Sequence, residues 1–349
     1  MGHANDESGK QQVGRVDSGE GGIPMKALVF DAFGDPKTVI ACKEQPSPPL
    51  DADQVRLKVL ASPVNPADLN LVEGTYGVKP PLPAVPGIEG CGEVIESRSP
   101  AFETGDRVML LHRSGMWAEE VVVSASSLFK LPPQIDPLQA AMLKVNPATA
   151  LRMLTGFRTL PKGSWVVQNA SNSGVGRSVI QVAKALGLRT INLVRRESLF
   201  EELKQIGADH VLLDDASAVD LAREIGGDSA PALALNAVGG DSALRLMNIL
   251  GSGGVHVTYG AMGRRPLKVP NGLLIFKDLE IRGFWLTRWI DKAPREELDN
   301  AYAFLAQEVA AGRLEVPVDS THELGDFLAA FDRLGSADRK GKVLFAPGI

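Results

Sequence analysis

Apolar positions over the first third of the chain come in short runs, alternating with polar residues or broken by proline and glycine. "MKALVF" (25–30), "QVRLKVLAS" (54–62), "GCGEVIES" (90–97) and "DRVMLL" (106–111) read as strands. "QPSPPLDAD" (45–53) and "KPPLPAVPG" (79–87) read as the breaks between them. That spacing predicts a small antiparallel barrel or sandwich. After Asn146 the period changes. The β-like segments "SWVVQNA", "RTINLV", "HVLLD", "PALALN" and "GVHVTYG" now alternate with helical stretches such as "VGRSVIQVAKALG" and "DSALRLMNIL". Five strands with helices between them describe a doubly wound parallel sheet. A sixth, "LEIRGFWL" at 279–286, follows a loop, helices are expected around 295–311, and "GKVLFAP" at 341–347 is a β segment too distant to be an obvious seventh.

The resulting expectation is an α/β chain in which a Rossmann domain is inserted into a β-rich domain. Residues 1–24 read as a disordered leader, 25–145 and 289–349 as two parts of a catalytic domain, and 146–288 as the nucleotide-binding domain. At 349 residues each domain can bury its own core. The net charge of -5 supplies no basic field for nucleic acid, and no apolar run reaches the ~18 residues of a membrane span. Two cysteines, Cys42 and Cys91, form no disulfide framework and suit a reducing compartment. The expected location is the cytoplasm, with the mitochondrial matrix open if the native leader differs.

The most informative stretch is "QNASNSGVG" (168–176). The three glycine places of a G-x-G-x-x-G turn are filled by Ser171, Ser173 and Gly176. An apolar strand runs into the turn and a helix opens after it, so a phosphate there would meet free N–H groups and the positive end of the helix dipole. Nineteen residues past Gly176, where NAD-binding folds commonly place an acid for the ribose, stand Arg195 and Arg196. Guanidinium suits a 2′-phosphate, which predicts NADPH rather than NADH.

Zinc is not expected. A four-cysteine structural site is impossible with two cysteines, and the place of a ligand histidine reads Gly87-Ile88-Glu89. Tyr76, between Gly74 and Gly77, is either a proton donor presented by an irregular loop or an aromatic packed on Pro80 and Pro81. Lys79 is three residues on in a non-helical stretch, so a short-chain-dehydrogenase pairing does not apply.

These residues resemble the zinc-free branch of the medium-chain dehydrogenase/reductase superfamily, with its GroES-like catalytic domain. "VNPADLN" (64–70) and "GTYGVKPPLPAVPGIEGCGEV" (74–94) carry the likeness at that level. "VNPATALRML" (145–154), "QNASNSGVG", and "IFKDLEIRGFWL" with Trp289 narrow it to NADPH-dependent trans-2-enoyl-thioester reductases of the mitochondrial fatty-acid-synthesis type. The resemblance covers about residues 25–345. It implies that Tyr76 donates a proton to Cα after hydride reaches Cβ. As cofactor contacts it implies Asn146, Asn172, Ser173, Gly174, Val175, Arg195, Arg196, Tyr259, Gly260, Ala261, Met262, Phe284, Trp285, Leu286 and Lys342. At 196–197 the family's acid-then-base order is replaced by Arg196-Glu197.

Some assignments stay open. Asn65 orients substrate or nicotinamide, or is a turn residue before Pro66. Trp285 floors an acyl pocket, or is a core aromatic. Arg264 and Arg265 meet phosphates of coenzyme A, or are solvated charge. The implied partners are an enoyl thioester of coenzyme A or an acyl carrier protein, and a second copy of the chain paired through 279–286. A quinone or enone reductase with the same fold, or a non-catalytic NADPH-binding protein, are the competing functions.

Overall fold

The computed structural model describes residues 24–349. The leader expected over 1–24 lies outside them except for Pro24, which opens the first strand. Two compact units emerge, one from 24–133 together with Val318–Ile349, the other Gln134–Pro317.

In the first unit β1 (Pro24–Phe30) pairs antiparallel with β2 (Ile40–Pro46). The main sheet begins with β3 (Gln54–Pro63), β4 (Cys91–Ser97), β5 (Arg107–Leu110), β6 (Glu120–Ser124) and β7 (Leu128–Lys130). Along β3 the inward residues Val55, Leu57 and Val59 are fully buried and Lys58 faces out, the period-2 alternation that the sequence predicts. Each such side chain contributes roughly 1.5–3 kcal/mol.

The second unit builds a parallel sheet from β8 (Trp165–Gln168), β9 (Arg189–Val194), β10 (His210–Leu213), β11 (Leu233–Asn236), β12 (Val255–Thr258) and β13 (Glu280–Gly283). Their order is β10-β9-β8-β11-β12-β13, the doubly wound arrangement with its switch point between β8 and β11. Helices cover both faces. Trp165, Val167 and Leu193 pack under Leu246 and Met247 on one side, and Ile180, Val194, Leu203 and Val211 cluster separately.

The chain then returns to the first unit with β14 (Val318–His322) and β15 (Lys342–Phe345). These complete a seven-stranded sheet of order β14-β15-β3-β4-β5-β7, with β6 also paired to β3. The "GKVLFAP" segment is therefore a strand of the other sheet.

Three features differ from the sequence reading. The units join at 133/134 and 317/318, where the expectation was 145/146 and 288/289. The physical reason lies in side chains that tie 289–317 to the Rossmann unit. Tyr302 and Leu305 are fully buried, and the Tyr302 hydroxyl donates to the Lys144 carbonyl at 3.3 Å. The Gln139 amide exchanges hydrogen bonds with the Val316 backbone, and the Gln181 amide does the same with Glu315. The second difference is a helix, Asn271–Lys277, in place of the loop before β13. Lys277 anchors it by donating to the carbonyls of Met247 and Asn248 at 3.2 and 2.8 Å, the end of a neighbouring helix where a cation is favoured. The third is β2 and β14, two half-exposed strands that carry no strong apolar pattern and exist through pairing with β1 and β15.

His256 sits in mid-β12, fully buried between Ala234 and Ile281, and neither ring nitrogen has a hydrogen-bond partner. Burial lowers its pKa to about 4. The imidazole must stay neutral in the fold, so its contribution is intact above its unfolded pKa of about 6.5 and is lost as pH falls toward 4. The loss amounts to about 3 kcal/mol across that window. His256→Leu is expected to remove this component, so its urea midpoint should gain on the native protein's as pH is lowered from 8 to 4.5. Parallel pH dependences for the two proteins would refute the assignment.

Candidate active site

The turn after β8 is held rigidly by its own side chains. Ser173 is the N-cap of the helix Gly174–Ala185, its hydroxyl accepting from the Gly176 N–H at 3.1 Å. Ser171 is fully buried and donates to the Leu193 carbonyl at 3.1 Å, so it braces the turn against β9. A Cβ on Gly176 would stand 2.6 Å from the Ser171 Cα and carbonyl oxygen and 2.7 Å from the Ala170 oxygen. Only glycine allows the helix to approach this closely. Asn172, Gly174 and Val175 remain at least partly exposed at the open end of the turn.

Most of the other residues implied as cofactor contacts also follow the carboxyl ends of parallel strands; Asn146 opens a helix, and Lys342 opens β15 in the first unit. Arg195 and Arg196 come directly after β9, exposed and without ion pairs among the described residues. Tyr259 through Met262 follow β12, and Phe284, Trp285 and Leu286 follow β13. In sheet order the end of β8 adjoins the switch point, with β9 beyond it on one side and β12 and β13 on the other, the ligand crevice of an open α/β sheet. Gly260 lies so close to the β11 end that a Cβ would meet the Ala237 oxygen at 3.0 Å. The Tyr259 hydroxyl is buried beside Ser173, with burial pushing its pKa up and the serine opposing. It forms no well-aligned hydrogen bond. The buried Asn146 Nδ2, at the start of a helix packed on Gly174–Ala185, is likewise without a partner. Buried polar atoms left this way are unusual in native folds. Together with the glycine cradle they fit a polar, phosphate-bearing ligand such as a nicotinamide dinucleotide.

Sequence reasoning missed the network beneath this edge. Asn169 Nδ2 donates to Asn236 Oδ1 at 2.8 Å and to Ser242 Oγ at 2.9 Å, and Asn169 Oδ1 accepts from the Ala237 N–H at 2.8 Å. Ser242 and Arg245 both donate to Asp214. The signal was present as two Asn-Ala pairs, 169–170 and 236–237, at the ends of adjacent strands.

Tyr76 belongs to the first unit. The helix Pro66–Glu73 ends at Gly74, whose φ of 74° is left-handed, and the Asn70 carbonyl then accepts from the N–H groups of Thr75 and Tyr76 at 2.9 and 3.1 Å. That fixes the loop, and the Tyr76 side chain remains partly exposed. The guanidinium of Arg113 stands 5.0 Å from its ring centroid, a neighbour that sequence reasoning did not find.

At the other end of the same helix Asn65 is buried. It donates through Nδ2 to Glu89 Oε1 at 2.7 Å, and its Oδ1 accepts from Lys342 Nζ at 2.5 Å. Lys342 is thus oriented by Asn65, with its pKa lowered by burial against the attraction of Glu89 and Asp68. Asp68 is fully buried and accepts from the Asn65 and Ile88 N–H groups at 2.9 and 2.8 Å. Burial raises its pKa to about 6 in spite of those two bonds.

The residues in this region do not fit zinc. Ile88 offers no ligand atom, Glu89 is committed to Asn65, and no group of three or more His, Cys, Asp or Glu among the described residues could hold a metal ion.

Comparison with known proteins agrees with this anatomy. Residues 51–133 match the alcohol dehydrogenase GroES-like domain and 174–307 the zinc-binding dehydrogenase family. The mitochondrial enoyl-[acyl-carrier-protein] reductase of Rattus norvegicus is 41% identical over 316 residues, covering 88% of this chain and 85% of the relative. Among solved structures, the complex of the enoyl thioester reductase Etr1p of Candida tropicalis with NADP and crotonyl-CoA superposes with a TM-score of 0.84 at 27% identity. It covers 93% of this chain and all of the other. A Bacillus thuringiensis protein assigned as an NADPH:quinone reductase gives 0.87 at 29%, covering 93% and 99%. With four residues in ten shared along most of both lengths, the chain belongs to the mitochondrial-type enoyl-[acyl-carrier-protein] reductase family of the medium-chain dehydrogenase/reductases.

Proposed function

We propose that this chain reduces the C2–C3 double bond of trans-2-enoyl thioesters with NADPH, in fatty-acid synthesis. The observation that carries the reading is the whole-length likeness to reductases named for that reaction. NADPH, when bound, supplies the hydride for Cβ. The amides from Asn172 to Val175 and the helix behind them hold its pyrophosphate, and Arg195 and Arg196 take the 2′-phosphate. Asn146, Tyr259–Met262 and Phe284–Leu286 line the remaining length, and Trp285 also serves the acyl chain. Lys342, held by Asn65, is a further cofactor residue that the family resemblance implies.

Hydride arrival leaves an enolate that needs a proton at Cα. The Tyr76 phenol provides it as the general acid. Asn65, held by Glu89 and Lys342, orients the substrate.

The deciding experiment follows NADPH absorbance with crotonyl-CoA, longer enoyl-CoAs, enoyl carrier proteins, free enones and a benzoquinone. Turnover on enoyl thioesters is expected, and oxidation by quinones alone would defeat the reading. The quinone outcome is a real second reading, because the Bacillus thuringiensis protein so assigned has the same fold.

For the cofactor, Arg195→Leu is expected to raise KM for NADPH by about 10–100-fold and leave that for NADH nearly unchanged, since only the 2′-phosphate loses its charge-assisted bonds. Equal effects on both cofactors would place the arginine elsewhere.

The working form is a homodimer joined through β13, an edge strand with one neighbour. The adjoining helix exposes Ile275 and Phe276, the latter 87% exposed, the kind of apolar surface that a partner covers. The Candida tropicalis relative is described as a heterodimer with Etr2p. Light scattering on Phe276→Glu, expected to give monomer, tests this. Neither Cys42 nor Cys91 forms a disulfide, in keeping with a reducing compartment. The relatives named as mitochondrial favour the matrix over the cytoplasm first expected.

A further inference from the structure

We propose that Arg113 is a positioning residue for the proton donor, a face-on cation that holds the Tyr76 ring and stabilises the negative charge left on it by proton transfer. The proposal rests on the reading of Tyr76 as general acid.

Arg113 lies in the connection between β5 and β6, with its guanidinium carbon 5.0 Å from the centroid of the Tyr76 ring. That is within the range of a cation–π contact. Its Nη1 is buried and has no hydrogen-bond partner. A guanidinium kept for structure alone normally satisfies its buried donors, since each one left open is costly. The carboxylate that feels its charge, Asp68, already accepts from two backbone amides, of Asn65 and Ile88, and forms no salt bridge with it among the described residues. The guanidinium thus enters no ion pair among the described residues and lies over the phenol ring. The preceding residue in the chain, His112, is partly buried.

The electrostatic consequence follows from the reaction. The phenol O–H bond breaks as the Cα–H bond forms, and the electron pair stays on the phenolate, delocalised into the ring. A cation over the face interacts modestly with a neutral ring and much more strongly with an anionic one. The interaction grows along the reaction coordinate, the condition for accelerating a step rather than merely binding the ground state. Before proton transfer the same contact fixes the ring plane, while the Asn70 carbonyl fixes its backbone.

The test uses Arg113→Met and Arg113→Lys, each made with Tyr76 intact and in the Tyr76→Phe background. With the tyrosine present, Arg113→Met is expected to lower kcat by on the order of 10–100-fold and to raise the solvent deuterium isotope effect. KM for NADPH and the thermal midpoint should stay near native. Arg113→Lys, which keeps a cation near the ring, should recover most of the rate. In the Tyr76→Phe background Arg113→Met should cost nothing further, because no phenolate forms. An undiminished kcat in Arg113→Met, or the same loss in both backgrounds, overturns the proposal while leaving Tyr76 as donor. If Tyr76→Phe alone turns over normally, the donor reading itself fails, and this proposal with it.

Discussion

Tyr76→Phe is expected to lower kcat for enoyl thioester reduction by on the order of 10²–10⁴-fold. The substitution removes one oxygen from a partly exposed ring and leaves the Gly74 turn, the Asn70 carbonyl bonds and the Arg113 contact in place. The thermal midpoint and KM for NADPH should therefore hardly move, and the loss should appear in kcat. Stopped-flow turnover in light and heavy water checks it. A small loss with an unchanged solvent isotope effect would assign the proton to water or another side chain.

Gly176→Ala is expected to damage the other half of the reaction. The added methyl would meet backbone atoms of Ala170 and Ser171 at 2.6–2.7 Å, and backbone cannot swing aside as a flexible side chain can. Either the helix Gly174–Ala185 retreats or the turn opens, and both carry the phosphate-facing amides off target. Overpacking of this kind costs roughly 1–3 kcal/mol of stability. Displacing the amides by about an ångström is expected to weaken NADPH binding by on the order of 10²-fold. Isothermal titration with NADPH, beside a urea titration, separates the two effects. Native affinity in the variant would mean that the turn does not bind the cofactor.

The parallel sheet was legible because each of its strands is an apolar run between helical stretches, and all six lie where those runs predict. The turn at 168–176 was legible for a different reason: one strand, one small-residue turn and one helix are contiguous in sequence. What escaped was assembled over distance. Arg113 meets Tyr76 across 37 residues, Asn65 meets Lys342 across 277, and Gln139 meets Val316 across 177. None of these pairs leaves a local pattern, because a lone arginine or glutamine in a loop reads like any solvated polar residue. The difference between the expected boundary and that of the compact units has the same origin. The helices at 286–310 have the right period, but which core they cover is decided by Tyr302 and Leu305, whose partners are remote.

The pairing of β15 with β3 bears on how the chain comes off the ribosome. The second unit is one continuous stretch, 134–317, and can close as soon as it has emerged. The first unit cannot. Its sheet waits for Leu344 and Phe345 to dock on Pro63 and Ser62, and the Asn65–Glu89 pair waits for Lys342, all from a segment translated after the second unit. During that interval one edge of β3 stays open, beside apolar residues that Phe345 will cover. The nascent protein thus passes through a half-finished state in which the Rossmann unit is complete and the unit carrying Tyr76 is not. A chain cut before Lys342 would keep that state permanently.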